Sequence, residues 1–390
     1  MRAPCLLARR STLAAGLALA AAAALLLTLW AAANDDAFLR SVLAGAGAAF
    51  SDVTGVGASA DGIACYEHGG AASDDAAPGS VSPTADDPWA LPDVGAEPAE
   101  HAGAAIFFHE TSCASATDGE VTLTPRQACA VESAARANPH LAVYLLMAAA
   151  PAAANASWSR AARQLRHYGN VRLRRVSLER YVRGTPLAGW YRGGALRASR
   201  WPRSHASDVL RFLTLYKFGG TYLDLDVVVT RSLEGMSNFA GAESATDVAA
   251  GVLNFSPDGR GHALAAACLA DLSQHFRGDQ WGHNGPGVIT RVLKRACSAK
   301  QVREMTRQAC GGFTVHPPSA FYPIPWREWR LYFEERHSNR TMARLRRSYA
   351  IHVWNKFSQA RNVTVGSRQP YGLIAERFCP RVYAASGKFF

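Results

Sequence analysis

The chain has 390 residues, enough for one large domain or two, and a formal net charge of +11 that calls for anionic partners. Among its eight Cys there is no C-x-x-C pair, which argues against a zinc or redox site. No internal repeat is evident.

Residues 1–12 form a short tail with Arg2, Arg9 and Arg10, and an uncharged run rich in Ala and Leu follows at 13–33. That run is long enough to cross a membrane as a helix. Asp35 and Asp36 come next, so the positive-inside rule puts the tail in the cytosol and the rest of the chain in the lumen. Ala31-Ala32-Ala33 also fits a signal-peptide cleavage site. The apolar run exceeds the ~7–15 residues of a signal peptide, which favours a retained anchor.

The stretch 34–104 is rich in Ala, Gly, Asp, Ser and Pro and poor in large apolar residues. Such a composition cannot bury enough surface to fold and reads as a flexible stem. Of the total charge of +11, this stretch contributes −11 (twelve acidic residues, one Arg) and the tail +3, which leaves +19 on residues 105–390. A basic folded part suits an anionic small molecule or the charged face of a membrane. Nucleic acid is the generic alternative for a basic domain, but a lumenal address argues against it.

Cys5 falls on the cytosolic side and the other seven Cys in an oxidising lumen. Expected pairs are Cys113–Cys129 and Cys297–Cys310, with Cys268–Cys379 as a third. Cys65 is then left over and could join two chains as a homodimer. Sequons occur at Asn155, Asn254, Asn339 and Asn362. Asn254 falls in an expected buried strand, where it would stay unmodified.

From 104 onward, strand-like and helix-like segments alternate. Strands are expected at 104–109, 141–147, 171–176, 221–229, 249–255 and 349–354. Helices are expected at 125–138, 158–168, 205–218, 260–276 and 285–297. The order implies an α/β sandwich with a largely parallel sheet, whose ligands bind beyond the carboxyl ends of the strands.

The most telling stretch is Gly219-Gly220-Thr221-Tyr222-Leu223-Asp224-Leu225-Asp226-Val227-Val228-Val229. In a strand, residues i and i+2 leave the same face, so Asp224 and Asp226 would point together while Leu223, Leu225 and Val227 face a core. Two like charges side by side are costly without a cation between them. Oxygen ligands suit Mg²⁺ or Mn²⁺ carrying a phosphate. A bare D-x-D also fits a solvated strand end, so context has to decide. Upstream, Ser207 is a plausible N-cap and Val209, Leu210, Phe212, Leu213 and Tyr216 keep helical spacing. Asp208 and Arg211 share a helix face, and Gly219-Gly220 ends the helix.

This constellation resembles the DXD sugar-transferase family, and within it the animal α1,4-galactosyltransferase and α1,4-N-acetylglucosaminyltransferase group. Further segments carry the same resemblance in order along the chain. They include Phe107-Phe108-His109-Glu110-Thr111-Ser112, Cys129-Ala130-Val131-Glu132-Ser133-Ala134-Ala135-Arg136 and Thr185-Pro186-Leu187-Ala188-Gly189-Trp190-Tyr191. Trp281-Gly282-His283-Asn284-Gly285-Pro286, Phe321-Tyr322-Pro323-Ile324-Pro325-Trp326 and Ile351-His352-Val353-Trp354-Asn355-Lys356 complete the set.

The resemblance implies a GT-A fold, a UDP-sugar donor, Mn²⁺ or Mg²⁺ as cofactor, and retention of configuration. It implies a Golgi type II membrane protein moving galactose or N-acetylgalactosamine in α1,4 linkage to a galactose-type terminus of a glycolipid or glycoprotein. Asp226 is the expected direct metal ligand, Asp224 a helper acting through water or on the donor, and His352 the third ligand from a late strand. Donor contacts are expected from Phe108, Glu110, Thr111, Tyr222, Asn355 and Lys356. Asp208 and Arg211 either join them or form a structural ion pair. The His283-Asn284 turn would orient the sugar. Asn284 is an amide and a poor nucleophile, which favours front-face attack. Other members of the group carry Gln at that position, so the donor sugar stays open. Tyr322, Trp326, Trp329, Trp281 and Trp190 are aromatic candidates for acceptor stacking, with core packing as the competing role. A GDP-sugar mannosyltransferase and a non-catalytic lumenal lectin are the rival readings.

Overall fold

In the computed structural model the described residues are 62–68, 94, 103–151 and 156–390. The expected tail, the 13–33 anchor, most of the stem and Asn155 lie outside them. No helix among the described residues is long and apolar enough to cross a membrane.

Among the described residues nine strands run in chain order: β1 (Ala105–Glu110), β2 (Ala142–Met147), β3 (Val171–Arg175), β4 (Gly220–Leu223), β5 (Val227–Val229), β6 (Phe239–Ala242), β7 (Val248–Phe255), β8 (Thr314–His316) and β9 (Ala350–His352). Seven form a mixed sheet in the order β3-β2-β1-β4-β7-β6-β8. Its pairs are parallel except those of β7 with β4 and with β6. The architecture is thus α/β with a mostly parallel sheet. Strands β5 and β9 make a separate antiparallel pair.

Alternation along β1 shows the layers: Ala105 and Phe107 face one core, Ile106 and Phe108 the other. Helix α1 (Pro125–Ala137) packs in the second core. It starts at Thr124, whose side chain and that of Gln127 form a reciprocal capping box. Helices α2 (Pro202–Phe218), α3 (Gly259–His275) and α4 (Pro286–Ala296) cover the first core. The segment expected as one helix at 158–168 is a short helix, Arg160–Arg163, continued by a 3₁₀ turn. Helix α2 ends at Gly219-Gly220, with φ of 64° and 85°. A Cβ on Gly220 would stand 2.6 Å from the Ala105 carbonyl oxygen, so this turn into β4 requires glycine.

The sandwich explains two corrections to the cysteine pairing. Cys113 and Cys268 lie in the first core, Cys129 and Cys379 in the second. The sheet separates Cys113 from Cys129, and Cys268 from Cys379. The observed bridges are Cys65–Cys113, Cys129–Cys379 and Cys297–Cys310; Cys268 is free and buried. Only Cys297–Cys310 follows the sequence expectation. Cys65 is used within the chain, so it is no longer left over to bridge two copies. Residues 62–68 are held on the folded body by that bridge, by Arg203 Nε donating to Gly62 O and by Tyr66 OH donating to Thr111 O. The stretch 34–104 therefore contains a segment fixed on the body. Asn254 is buried, hydrogen-bonding Thr221 Oγ1 and the Asn238 N–H.

Candidate active site

The D-x-D does not lie on one strand. β4 ends at Leu223, and Val227 N donates to Asp224 O at 3.0 Å, closing a turn before β5. The two carboxylates converge because of this turn, not because of strand alternation. The turn sits at the carboxyl end of β4, where an α/β sheet binds its ligands. β9 pairs with β5 so that His352 faces Val227. This brings His352 Nε2 to 3.2 Å from Asp226 Oδ1 and 3.6 Å from Asp224 Oδ2. One donor atom from each of the three residues lies within 4.8 Å of the others, a spacing that suits one divalent ion.

Each of the three side chains is held from behind. Asp224 Oδ1 accepts from Tyr222 OH at 2.6 Å and pairs with Arg211 at 3.1 Å. Its backbone N–H donates to Gly251 O. Asp226 Oδ2 accepts from Asn355 N at 2.8 Å. His352 Nδ1 accepts from Trp354 N at 3.2 Å. Trp354 itself sits in the left-handed region, φ 56° and ψ 53°, pinned by its indole N–H donating to Ile324 O. A bulky residue there is strained, and such strain concentrates at functional sites. Each Asp keeps one oxygen toward His352.

Burial opposes ionisation of Asp224, but Arg211, His352 and the Tyr222 hydroxyl outweigh it and hold its pKa low. Burial raises Asp226, with His352 pulling against it. The two carboxylates raise His352 against its own burial. An acidic pair sharing one imidazole is a site that a cation would relieve.

A pocket of about 450 Å³ opens over the triad. Asp208, Arg211, Lys356, Tyr322, Trp326 and Trp281 line it. Asp208 and Arg211 pair at 3.0 Å and Arg211 goes on to Asp224, which favours the structural ion pair. Burial pushes Asp208 up to about 7. Lys356 Nζ lies 3.2 Å from the Trp281 ring centre, a cation–π contact. Trp281, Trp326 and Phe357 are 39%, 38% and 40% exposed at the mouth.

Other expected contacts are not brought to this pocket. Phe108 points into the second core. Glu110 is buried and accepts from Ser112 N, while the Thr111 carbonyl is taken by Tyr66. Tyr222 is buried and orients Asp224 rather than facing a ligand. Asn355 acts through its backbone on Asp226, and its side chain is approached by Arg126. Asn284 is fully buried: its amide accepts from Arg277 N and donates to Arg277 O, closing its own loop. Neither His283 nor Asn284 lines the pocket. Trp329 and Trp190 also lie away from it, Trp190 packing edge-on to Phe276.

Two residues carry no signal in the sequence. Glu243, just after β6, lines the pocket but reads as one acid in a polar turn. Gly251 in β7 reads as a small core residue, yet a Cβ there would stand 2.7 Å from Asp224 Oδ2 and 3.2 Å from His352 Nε2. Its lack of a side chain leaves space that an ion could take.

A triad of two carboxylates and an imidazole, at the carboxyl end of a mostly parallel sheet and beside a pocket, fits the class of metal-assisted nucleotide-sugar transferases. Residues 124–245 match the family described as glycosyltransferase sugar-binding region containing DXD motif. Residues 257–386 match the alpha 1,4-glycosyltransferase conserved region. The lactosylceramide 4-alpha-galactosyltransferases of Rattus norvegicus and Homo sapiens are each 38% identical over 259 residues, 66% of this chain and 70% and 72% of theirs. The human alpha-1,4-N-acetylglucosaminyltransferase is 31% identical over 260 residues, 65% of this chain and 74% of its own. The chain belongs to the α1,4-glycosyltransferase family and is a glycosyltransferase.

Proposed function

We propose a retaining enzyme of GT-A fold that moves galactose or N-acetylgalactosamine from a UDP-sugar, in α1,4 linkage, to a terminal galactose of a glycolipid, a glycoprotein being the other acceptor class. The observation that carries this is the convergence of Asp224, Asp226 and His352 in a pocket of a chain 38% identical to lactosylceramide 4-alpha-galactosyltransferases. Mn²⁺ or Mg²⁺ held by these three would neutralise the diphosphate leaving group. Arg211 and Tyr222 hold Asp224 in place, and the Asn355 N–H holds Asp226. Lys356 is the pocket cation without a carboxylate partner among the described residues and offsets diphosphate charge when it leaves the Trp281 face.

In the front-face course, the acceptor hydroxyl oxygen bonds to the anomeric carbon as the bond to the diphosphate breaks. The hydroxyl proton passes to the departing phosphate oxygen. The anchor-like run at 13–33, the three disulfides and the sequons support a type II Golgi membrane protein with a lumenal catalytic part. Family membership weighs against the mannosyltransferase and lectin readings.

The test incubates the detergent-solubilised full chain with UDP-galactose, UDP-N-acetylgalactosamine or UDP-N-acetylglucosamine and a lactosyl acceptor, with and without Mn²⁺. The third donor is included because of the 31% identity to the N-acetylglucosaminyltransferase. Metal-dependent transfer with an α1,4 product is expected. Absence of both transfer and donor hydrolysis with every pair sinks the proposal.

A further inference from the structure

We propose that Glu243 binds a hydroxyl of the acceptor sugar, an inference that rests on the transferase reading above. Glu243 lines the pocket of the metal triad but comes from the turn between β6 and β7, an element that supplies none of the ligands. Its backbone is fixed: Glu243 N donates to Asp247 O at 2.9 Å, and Ser244 Oγ bonds Asp247 Oδ2 across the turn.

The other three pocket carboxylates are committed. Asp208 pairs with Arg211, Asp224 with Arg211 and Tyr222, and Asp226 with the Asn355 N–H. The Glu243 carboxylate makes no hydrogen bond or ion pair among the described residues. It is half-buried, and burial pushes its pKa up, opposed by His352. A carboxylate so placed is costly until something donates to it. That donor cannot be the diphosphate, whose charge repels it. A sugar hydroxyl is neutral and donates. The acceptor enters at the open mouth, past Trp281, Trp326 and Phe357. Glu243 on its rigid turn offers that sugar a fixed acceptor atom, and a site built around such a bond rejects analogues lacking the hydroxyl.

The experiment is a double-mutant cycle between protein and acceptor. The full chain in detergent, with Mn²⁺ and the UDP-sugar hydrolysed in the assay above, is given a lactoside and each of its monodeoxy analogues. Wild type, Glu243→Ala and Glu243→Gln are compared for transfer kcat/KM and for donor hydrolysis. In the wild type one deoxy analogue should be poorer by about 10–100-fold. In Glu243→Ala the parent acceptor should fall by a similar factor, chiefly through its KM, and that one analogue should be no worse than the parent. Transfer should drop more than hydrolysis, and Glu243→Gln, which keeps an acceptor oxygen, should recover part of the loss. The proposal is overturned if every deoxy penalty persists in Glu243→Ala, or if the loss falls on donor KM and on hydrolysis as much as on transfer. A wild type that neither transfers from nor hydrolyses any donor brings down the transferase reading, and this inference with it.

Discussion

The D-x-D turn and the loop at 277–286 border the same pocket but use their polar groups in opposite ways. At the turn, the outer oxygens of Asp224 and Asp226 are tied to Tyr222, Arg211 and the Asn355 N–H, and the remaining oxygens converge on His352. At the loop, both ends of the Asn284 amide are spent on Arg277, and what the loop shows the pocket is Trp281 and Pro286. One region is preorganised to bind charge, the other to hold its own shape and offer an apolar rim. A polar residue in a family motif can thus serve the reaction or only the loop that carries it, and its hydrogen-bond partners tell which.

The sharpest break in that contrast is Asp226→Ala. It should lower turnover by about 10²–10³-fold or more while the Tm moves by no more than about 5 °C, because one of two neighbouring like charges is removed. Collapse of the fold would reveal a structural role. Next comes Gly251→Ala, which places a methyl against Asp224 and His352. Mn²⁺ affinity, read from the metal dependence of turnover, should fall about 10–100-fold; an unchanged metal dependence would remove Gly251 from the site. Asn284→Ala should act on stability, costing about 1–3 kcal/mol in denaturant unfolding because Arg277 N and O lose their partner. Full stability with lost turnover would return Asn284 to the sugar.

A further effect, of the same order as that of Asn284→Ala, concerns pH. Burial raises Asp208 from 3.8 to about 7 in the folded chain, Asp224 adding to the rise and Arg211 opposing it. Below about pH 7 the folded state then keeps on Asp208 a proton that the unfolded chain releases, and its contact with Arg211 is an ion pair only above that pH. The stability this contributes is complete below about pH 4 and is lost as pH rises through about 7, by up to ~1 kcal/mol per unit. Asp208→Asn should flatten that decline in Tm measured from pH 4 to 7, and an unchanged slope would contradict it.

Local periodicity made the order of elements readable: the strands 104–109, 141–147 and 171–176 and the helices 125–138, 205–218 and 260–276 all appear, with ends shifted by a few residues. The candidate triad was also readable, since a carboxylate pair after a glycine turn and a histidine in a late strand keep their identities in any fold, and the structure brings the three together. What failed depended on three dimensions. Leu-Asp-Leu-Asp alternates like a strand, yet the chain turns at Asp224 to feed a second sheet. Cysteines near in sequence, Cys113 and Cys129, sit on opposite faces of the first sheet. Gly251 and Glu243 are ordinary residue types until β7 and its hairpin carry them beside the triad.

The most direct measurement of the central claim is UDP binding by calorimetry to the full chain, with and without Mn²⁺, in the wild type and in His352→Ala. Binding should require Mn²⁺ and weaken by about 10-fold or more in the variant. UDP binding that is independent of metal and equal in the two proteins would contradict a nucleotide-sugar site built on Asp224, Asp226 and His352.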